Sequence, residues 1–430
     1  MPRPPQIPRR AAAARADPSL ATLGVQFTAA FAAGEYARAL VLATQAWRLS
    51  GLPNAEADMA LCQMRLGHLQ LAYDTYRRVV RRLPTANIYD GLAEAAGRLG
   101  LHDEVRKCGS IALRLKDEEA RREGGALPID RMPPAFDPSN AARNAIAFSL
   151  FGASPRYGEM AVLNVRAAKT LFPAWTCRFY VDGSVPVRTL ERLAQEGALI
   201  VHAASVGGAD LPGTMWRFLA LDDPTLERIQ FRDADALLST RDQAAVEAWC
   251  ASNRWFHLMR DNATHTELLL AGMWGACTGV LTGIGDRARA YLAGRRVGAS
   301  HADQHFLRHR VWPTVRQSVL AHDALFDFDG NLPFPPHAPM AVDARYRHVG
   351  CNIGAPSMQV RHDAPDGTAV VWTLLDAQGQ EVCRYPAVVQ RGVYSAALPA
   401  PYAAELGAGR WKVVTRTAGL PPSLRTAPAA

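Results

Sequence analysis

Two aspartates stand one residue apart at Asp233 and Asp235, directly after the short apolar run Arg228-Ile-Gln-Phe231. Such a run is expected to be a strand. Both carboxylates would then project from its carboxyl end, the edge at which open α/β sheets bind ligands. Hard oxygen donors at that spacing suit Mg²⁺ or Mn²⁺, and such an ion neutralises a bound diphosphate. A turn with two solvated aspartates is the plainer alternative. Arg217 falls on an expected helix beginning at Trp216-Arg-Phe-Leu-Ala-Leu221, where a guanidinium is shaped to fork onto phosphate oxygens. Asp303 and Gln304 head a further expected helix, Gln304–Arg310. An acid there is favoured by the helix dipole, and a carboxylate beside an amide also suits the hydroxyls of a sugar. Asp303 and Asp261 could each accept a proton from an attacking hydroxyl. His257, Arg260, Asp261 and His265 lie too close in sequence for an isolated metal site, and read as a polar wall or a solvated loop. His322 and His348 each read as an ordinary structural histidine or as a metal ligand.

Elements of two kinds must position these groups. From Asn144 onward short apolar runs alternate with helical patterns: strands at 145–150, 177–181, 199–201 and 228–231, and helices at 157–171 and 187–196. That alternation is the signature of an α/β domain.

The order of motifs resembles nucleotide-sugar glycosyltransferases of the GT-A fold, in particular the glycogenin and galactosyltransferase-like family 8. Phe148-Ser-Leu-Phe-Gly152, Trp216-Arg-Phe-Leu219, Leu221-Asp-Asp-Pro224 and the strand ending in Asp233-Ala-Asp235 follow one another as in that family. Leu269–Trp274 stands where it has an N-x-G-V-M strand, and Asp303-Gln304-x-x-Leu307 matches its D-Q-x-x-L motif. The likeness covers about Asn144 to Gly350. It departs at Arg232, where an aliphatic residue is usual, and in lacking the H-x-x-G-x-x-K-P-W tail. Phe256–Asp261 followed by His265 also resembles the M-R-D-H-P-x-H segment of bacterial relatives of this fold. The resemblance implies a Mn²⁺- or Mg²⁺-dependent glycosyltransferase acting on a nucleotide-sugar donor and a glycan or protein acceptor. It further implies a donor site at Phe148, Ser149, Arg217 and Asp233, and an acceptor wall of His257, Arg260, His265 and Trp274. Catalytic groups would come from Asp303, Gln304 and Asp261, and metal ligands from Asp233, Asp235 and His322.

Leu20–Glu119 is helical in pattern and repeats. Gly34, Gly67 and Gly100 recur at a period of 33, with Tyr36, Leu69 and His102 two residues later and Ala39, Ala72 and Val105 five later. A glycine bend with a small residue near it lets paired helices stack closely, and Pro53 and Pro84 end the second helices. This resembles the tetratricopeptide repeat, and implies a concave face that docks a protein partner. Arg77, Arg78, Arg81 and Arg82 read as a solvated helix face or as a site for an anionic partner.

The 430 residues thus divide, as expectation, into a disordered basic arm (1–17), a tetratricopeptide-like array (18–123), a linker (124–138), a GT-A-like α/β domain (139–350), a small all-β sandwich (351–417) and a disordered tail (418–430). The net charge of +8 includes +3 from the arm, which leaves a mildly basic folded part and argues against a nucleic-acid partner. Seven scattered cysteines form no ligand pattern and read as reduced thiols, and no apolar run suits a signal peptide or a membrane span, so a cytoplasmic protein is expected. Two other functions fit parts of the pattern. One is a non-catalytic repeat scaffold with a degenerate transferase-like domain; the other is a haloacid-dehalogenase-type phosphotransferase, disfavoured because Ala236-Leu237-Leu238 lacks the D-x-D-G-T form.

Overall fold

The computed structural model describes residues 18–293, 302–328, 330–340 and 348–417; the expected arm 1–17 and tail 418–430 lie outside the described residues. Two compact units form. One holds the chain as far as Leu115 together with Phe326–Phe328, and the other begins at Lys116.

The first unit is helical: α1 (Pro18–Ala32), α2 (Tyr36–Ser50), α3 (Pro53–Arg65), α4 (Leu69–Val79), α5 (Ala86–Arg98) and the first part of α6 (His102–Glu123). Gly34, Gly67 and Gly100 sit between the members of each pair with φ of 74°, 81° and 74°, a left-handed conformation that disfavours any side chain. Ala39, Ala72 and Val105 are buried, as close helix stacking requires. Gly91, outside the repeat pattern, is needed for the same reason: a Cβ there would lie 2.4 Å from the Tyr76 ring.

Asp58 on α3 is half-buried, and burial raises its pKa to about 6. The native state therefore holds a proton that the unfolded chain has released between about pH 4 and 6. Stability from this group is present below pH 4 and lost as the pH rises through 6. Asp58→Asn should stabilise the helical unit by about 1–2 kcal/mol at pH 7.5, after allowance for solvent screening, and by almost nothing at pH 4. Thermal melts at the two pH values check this; an equal shift at both would contradict it.

The second unit is built on a seven-stranded sheet. Its strands are β1 (Asn144–Leu150), β2 (Thr176–Val181), β3 (Leu199–His202), β4 (Arg228–Arg232), β5 (Phe256–Arg260), β6 (Met273–Cys277) and β7 (Val319–Asp323). They lie in the order β3-β2-β1-β4-β6-β5-β7, parallel except for β6, which runs antiparallel to both neighbours. The helices are α7 (Pro155–Leu171), α8 (Val187–Gln195), α9 (Thr240–Cys250), α10 (Ile284–Ala293), α11 (Ala302–Phe306) and α12 (Trp312–Val315). β1, β4, β5 and β6 are buried along their whole length, as strands covered on both faces must be. Segment 124–138 carries no helix or strand, yet it is tied down. Leu127 N–H donates to Thr314 Oγ1 (2.9 Å), Trp255 Nε1 to the Arg131 carbonyl (2.9 Å) and Arg228 to the Pro134 carbonyl (2.8 Å).

Small antiparallel sheets complete this unit. Strands β8 (Gly354–Arg361), β9 (Ala369–Leu375), β10 (Glu381–Val388), β11 (Val393–Pro399) and β12 (Lys412–Thr417), with helix α13 (Ala400–Gly407), form a three-stranded sheet β10-β9-β12 and a two-stranded sheet β11-β8. Trp372, Leu374, Tyr385, Tyr394 and Leu398 share one core, against which Leu163 of α7 also packs. Tyr385 Oη donates to the buried Glu159 carboxylate on α7 (2.7 Å), which takes two further bonds from Arg192 on α8 (2.6 and 3.0 Å). The β part is thereby seated on α7 and α8. Neither β8 nor α13 was expected from the sequence pattern.

Candidate functional site

β2 and β3 extend the sheet on one side of β1, and β4 lies on the other, with Phe148 paired to Arg232. The order of strands reverses between β1 and β4, and a crevice opens at the carboxyl ends of such a pair. A cavity of about 210 Å³ occupies that place, and its walls include Ser149, Phe151, Arg217, Asp233, Asp235 and Asp303. Both aspartates therefore stand past the carboxyl end of β4, in the wall of that cavity.

Arg217 organises the site from a 3-10 helix, Gly213–Asp222, where an α-helix was expected. It is 3% exposed. Its backbone N–H donates to Ser149 Oγ (3.0 Å), and its guanidinium bonds the Arg232 carbonyl (3.1 Å), the Asp233 carboxylate and Asp303 Oδ2 (3.3 Å). One buried cation therefore spans two carboxylates. Asp235 pairs with Arg156 (2.8 Å), a residue the sequence reading missed. Its signal was present: Ser154-Pro155 directly after β1 marks a helix start, so the first-turn residue Arg156 lies at the same sheet edge. Phe151 and Tyr157 add aromatic surface to the crevice, Phe151 being exposed and edge-on to Trp216 at 5.7 Å.

Burial pushes the Asp235 carboxyl up, and the neighbouring Asp233 charge pushes the same way; Arg156 and Arg217 oppose both. Asp303 is likewise raised by burial and held back by Arg217. Three carboxylates thus share two arginines in a partly desolvated space, an arrangement in which added positive charge is stabilising. Gly272 permits it. A Cβ at that position would lie 2.0 Å from Asp233 Oδ2.

Several expected site residues lie elsewhere. Phe148 is fully buried and stacked on Phe179 at 4.7 Å, so it belongs to the core, and Phe151 faces the crevice instead. Trp274 is buried between Phe231 (4.3 Å) and Phe218 (6.0 Å) and cannot form an acceptor wall. His257 is buried within β5 against Trp249, and burial with the nearby His322 and Arg232 keeps it neutral far below the usual histidine range. Arg260 is spent on the chain itself, donating to the Glu267 (3.0 Å) and Leu268 carbonyls and pairing with Asp323 (3.6 Å). His322 sits on β7, separated from β4 by β6 and β5, with its ring 5.7 Å from those of His257 and Phe334. Burial lowers its pKa to about 4. It is not beside Asp233 and Asp235, and among the described residues no other histidine or carboxylate joins the pair in a three-ligand cluster. Gln304, with its amide oriented to satisfy both neighbours, donates to the Leu269 carbonyl (3.2 Å) and accepts from the Ala271 N–H (2.7 Å). It braces the chain leading to Gly272 and does not line the cavity.

Asp261 and His265 fall just past β5 and meet His348, a third group from a distant loop; each offers one ligand atom, and the three lie within 4.8 Å of one another. His348 lies outside the segment His257 to His265 that the sequence reading weighed as too close in sequence for an isolated metal site. His348 also lines a second cavity of about 220 Å³ with Leu237, Leu238, Ser239, Cys351 and Ile353.

No helix among the described residues is long and apolar enough to cross a membrane, and all seven cysteines are free thiols. No protein-family model matches the chain, and no curated protein matches it. A solved structure similar to part of it, the Sgt2 TPR domain from Aspergillus fumigatus, shares 17% identity over 28% of this chain and 92% of its own, with a TM-score of 0.22.

Proposed function

We propose that the crevice between β1 and β4 binds a nucleotide-sugar with a divalent cation, Mn²⁺ or Mg²⁺, and transfers the sugar to a hydroxyl of a glycan or protein acceptor, the chemistry of a GT-A-type glycosyltransferase. The observation that carries this reading is the convergence of Asp233, Asp235 and Asp303 with Arg217 and Arg156 at the switch point of the sheet. When bound, the cation would neutralise the diphosphate that leaves with its electron pair.

The chain's own residues divide the remaining work. Asp233 and Asp235 hold the ion. Arg156 lies at the first turn of α7, where helix N–H groups favour anions, and would be free to pair with a phosphate oxygen when Asp235 holds the ion. Arg217 fixes Asp233 and keeps Asp303 within the same wall. Phe151 offers a ring face on which a nucleobase can stack. Asp303, its carboxyl raised by burial, is the group in the cavity able to take the proton of the attacking hydroxyl. The helical array, read as tetratricopeptide-like, docks the acceptor or a protein partner on its concave face.

Gly272→Ala should displace the Asp233 carboxylate from its seat on Arg217, because the closest clashes are with that carboxylate (2.0 and 2.5 Å), while the Asp233 N at 3.0 Å shifts by a few tenths of an ångström and the backbone at Gly272 needs no left-handed conformation. Binding of Mn²⁺ with a nucleoside diphosphate should weaken about tenfold or more by calorimetry. The reading as a whole is tested by thermal melts of the full chain with UDP-, GDP-, CMP- and dTDP-sugars, with and without Mn²⁺, since a ligand bound only by the native state raises its stability. One nucleotide class should raise the melting temperature only when Mn²⁺ is present. A flat response to every nucleotide would remove the proposal.

A further inference from the structure

The segment Met259-Arg-Asp-Asn-Ala-Thr-His265 contributes nothing to the crevice, yet the side chains of Asp261 and His265 are only 1% and 4% exposed. Asp261 Oδ1 lies 3.5 Å from His265 Nδ1. That nitrogen accepts the Asp261 N–H (3.1 Å), so it carries a lone pair and no proton. His348 meets His265 edge to face, with ring centroids 5.1 Å apart. Its Nδ1 is 3.0 Å from the Val349 carbonyl, to which only a protonated nitrogen can donate. The proton is therefore fixed on Nδ1, which leaves Nε2 with a free lone pair. This is the support that a ligating histidine receives from its surroundings, the second ring nitrogen bonded to a backbone carbonyl.

The carboxylate is supported in the same manner. Both Asp261 oxygens accept from Val349 N–H (3.0 Å each), and Oδ2 also takes Arg241 (2.6 Å). A carboxylate oxygen has two lone pairs. Oδ2 is filled by these contacts, while Oδ1 keeps one on the side of His265. Two imidazoles and a carboxylate oxygen make a ligand set that hard Mg²⁺ and Ca²⁺ do not prefer and that Zn²⁺ does; His348 and Asp261 are already held from behind, whereas His265 would exchange the Asp261 N–H at its Nδ1 for the ion.

We infer that Asp261, His265 and His348 bind a Zn²⁺-class divalent ion, at a site separate from Asp233 and Asp235 and beside the 220 Å³ cavity that His348 lines. Such an ion would join the end of β5 to the loop that follows His348. That loop abuts the aspartate pair: Ile353 N–H donates to the Asp235 carbonyl (3.2 Å), and Asn352 bridges Ala236. The inference does not depend on the transfer reaction.

Cobalt(II) is the probe, because its visible bands report nitrogen and oxygen ligands directly. The full chain would be stripped with a chelator and titrated with Co²⁺, then with competing Zn²⁺, in the native form and as Asp233→Asn/Asp235→Asn, His265→Gln and His348→Gln. The double asparagine variant should take up one Co²⁺ per chain with visible bands that Zn²⁺ abolishes, and the native chain should show the same bands whatever further Co²⁺ it takes up at Asp233 and Asp235. Each glutamine variant should bind at least 100-fold more weakly, beyond the roughly 10–100-fold cost of losing a merely supporting contact. If a glutamine variant fails to show a native circular dichroism spectrum, the double asparagine variant still decides. Absence of a visible band in that variant at millimolar Co²⁺ overturns the inference, and so does a band that persists in folded His265→Gln and His348→Gln.

Discussion

Asp235→Asn should lower sugar transfer and donor hydrolysis by at least about 100-fold while leaving the melting temperature unchanged or slightly raised. The two halves of that result have one cause. Burial and the Asp233 charge disfavour the ionised Asp235 carboxyl, so a neutral amide of the same volume relieves repulsion in the unliganded protein. The same amide is a poorer ligand for a hard cation, and loss of the charge that holds the ion removes several kcal/mol of transition-state stabilisation. Initial rates at saturating donor and limiting Mn²⁺, with melts in parallel, check both. A variant that loses stability and activity together would assign Asp235 to the fold, and one that keeps full activity would remove it from the site.

Arg217→Met acts in the opposite sense on stability. Methionine preserves an unbranched apolar stem, but Asp233 and Asp303 lose the guanidinium between them, and Asp303 is nearly buried. Removing one partner of a buried pair costs about 3–5 kcal/mol, with the lower end expected because Asp233 is partly exposed. Activity should fall with it, since Asp233 is no longer fixed. Arg217→Met/Asp303→Asn should recover about 1–2 kcal/mol of the loss, as two groups that compensate one another are not additive. Urea unfolding monitored by tryptophan fluorescence measures both. Strict additivity of the two substitutions would contradict the bridging role.

Strands β1 to β4 and helices α7 and α8 were legible because each of these strands is a short apolar run and each of these helices begins at a proline, Pro155 or Pro186; β5, α9 and α10 were not among the expected elements. Asp233 and Asp235 were placed from the end of β4 alone, and Arg217 from its helix. What the sequence left hidden are partnerships across distance. Arg156 meets Asp235, and His348 meets Asp261 and His265, through strand order that local spacing does not encode. Phe148, His257, Trp274 and His322 were misassigned for one reason. Aromatic and imidazole rings on fully buried strands have the same composition whether they serve a core or a ligand, and in a sheet covered on both faces the core is the outcome. Arg232 shows the converse, since a charged residue in an apolar strand is accommodated by Asp242 (3.2 Å) and by the carbonyls of Phe231 and Trp274 (2.8 and 3.1 Å).

The central claim is that the crevice between β1 and β4 holds a divalent ion and a diphosphate together. It is tested most directly by a crystal structure of the full chain with Mn²⁺ and the nucleoside diphosphate selected by the melts, using the anomalous signal of manganese to locate the ion. The account predicts a peak at ligand distance from Asp233, Asp235 and two phosphate oxygens, with Arg156 released from Asp235 and turned to the diphosphate. A nucleotide bound elsewhere, or an Asp235 still closed by Arg156 with no manganese beside it, would contradict the account.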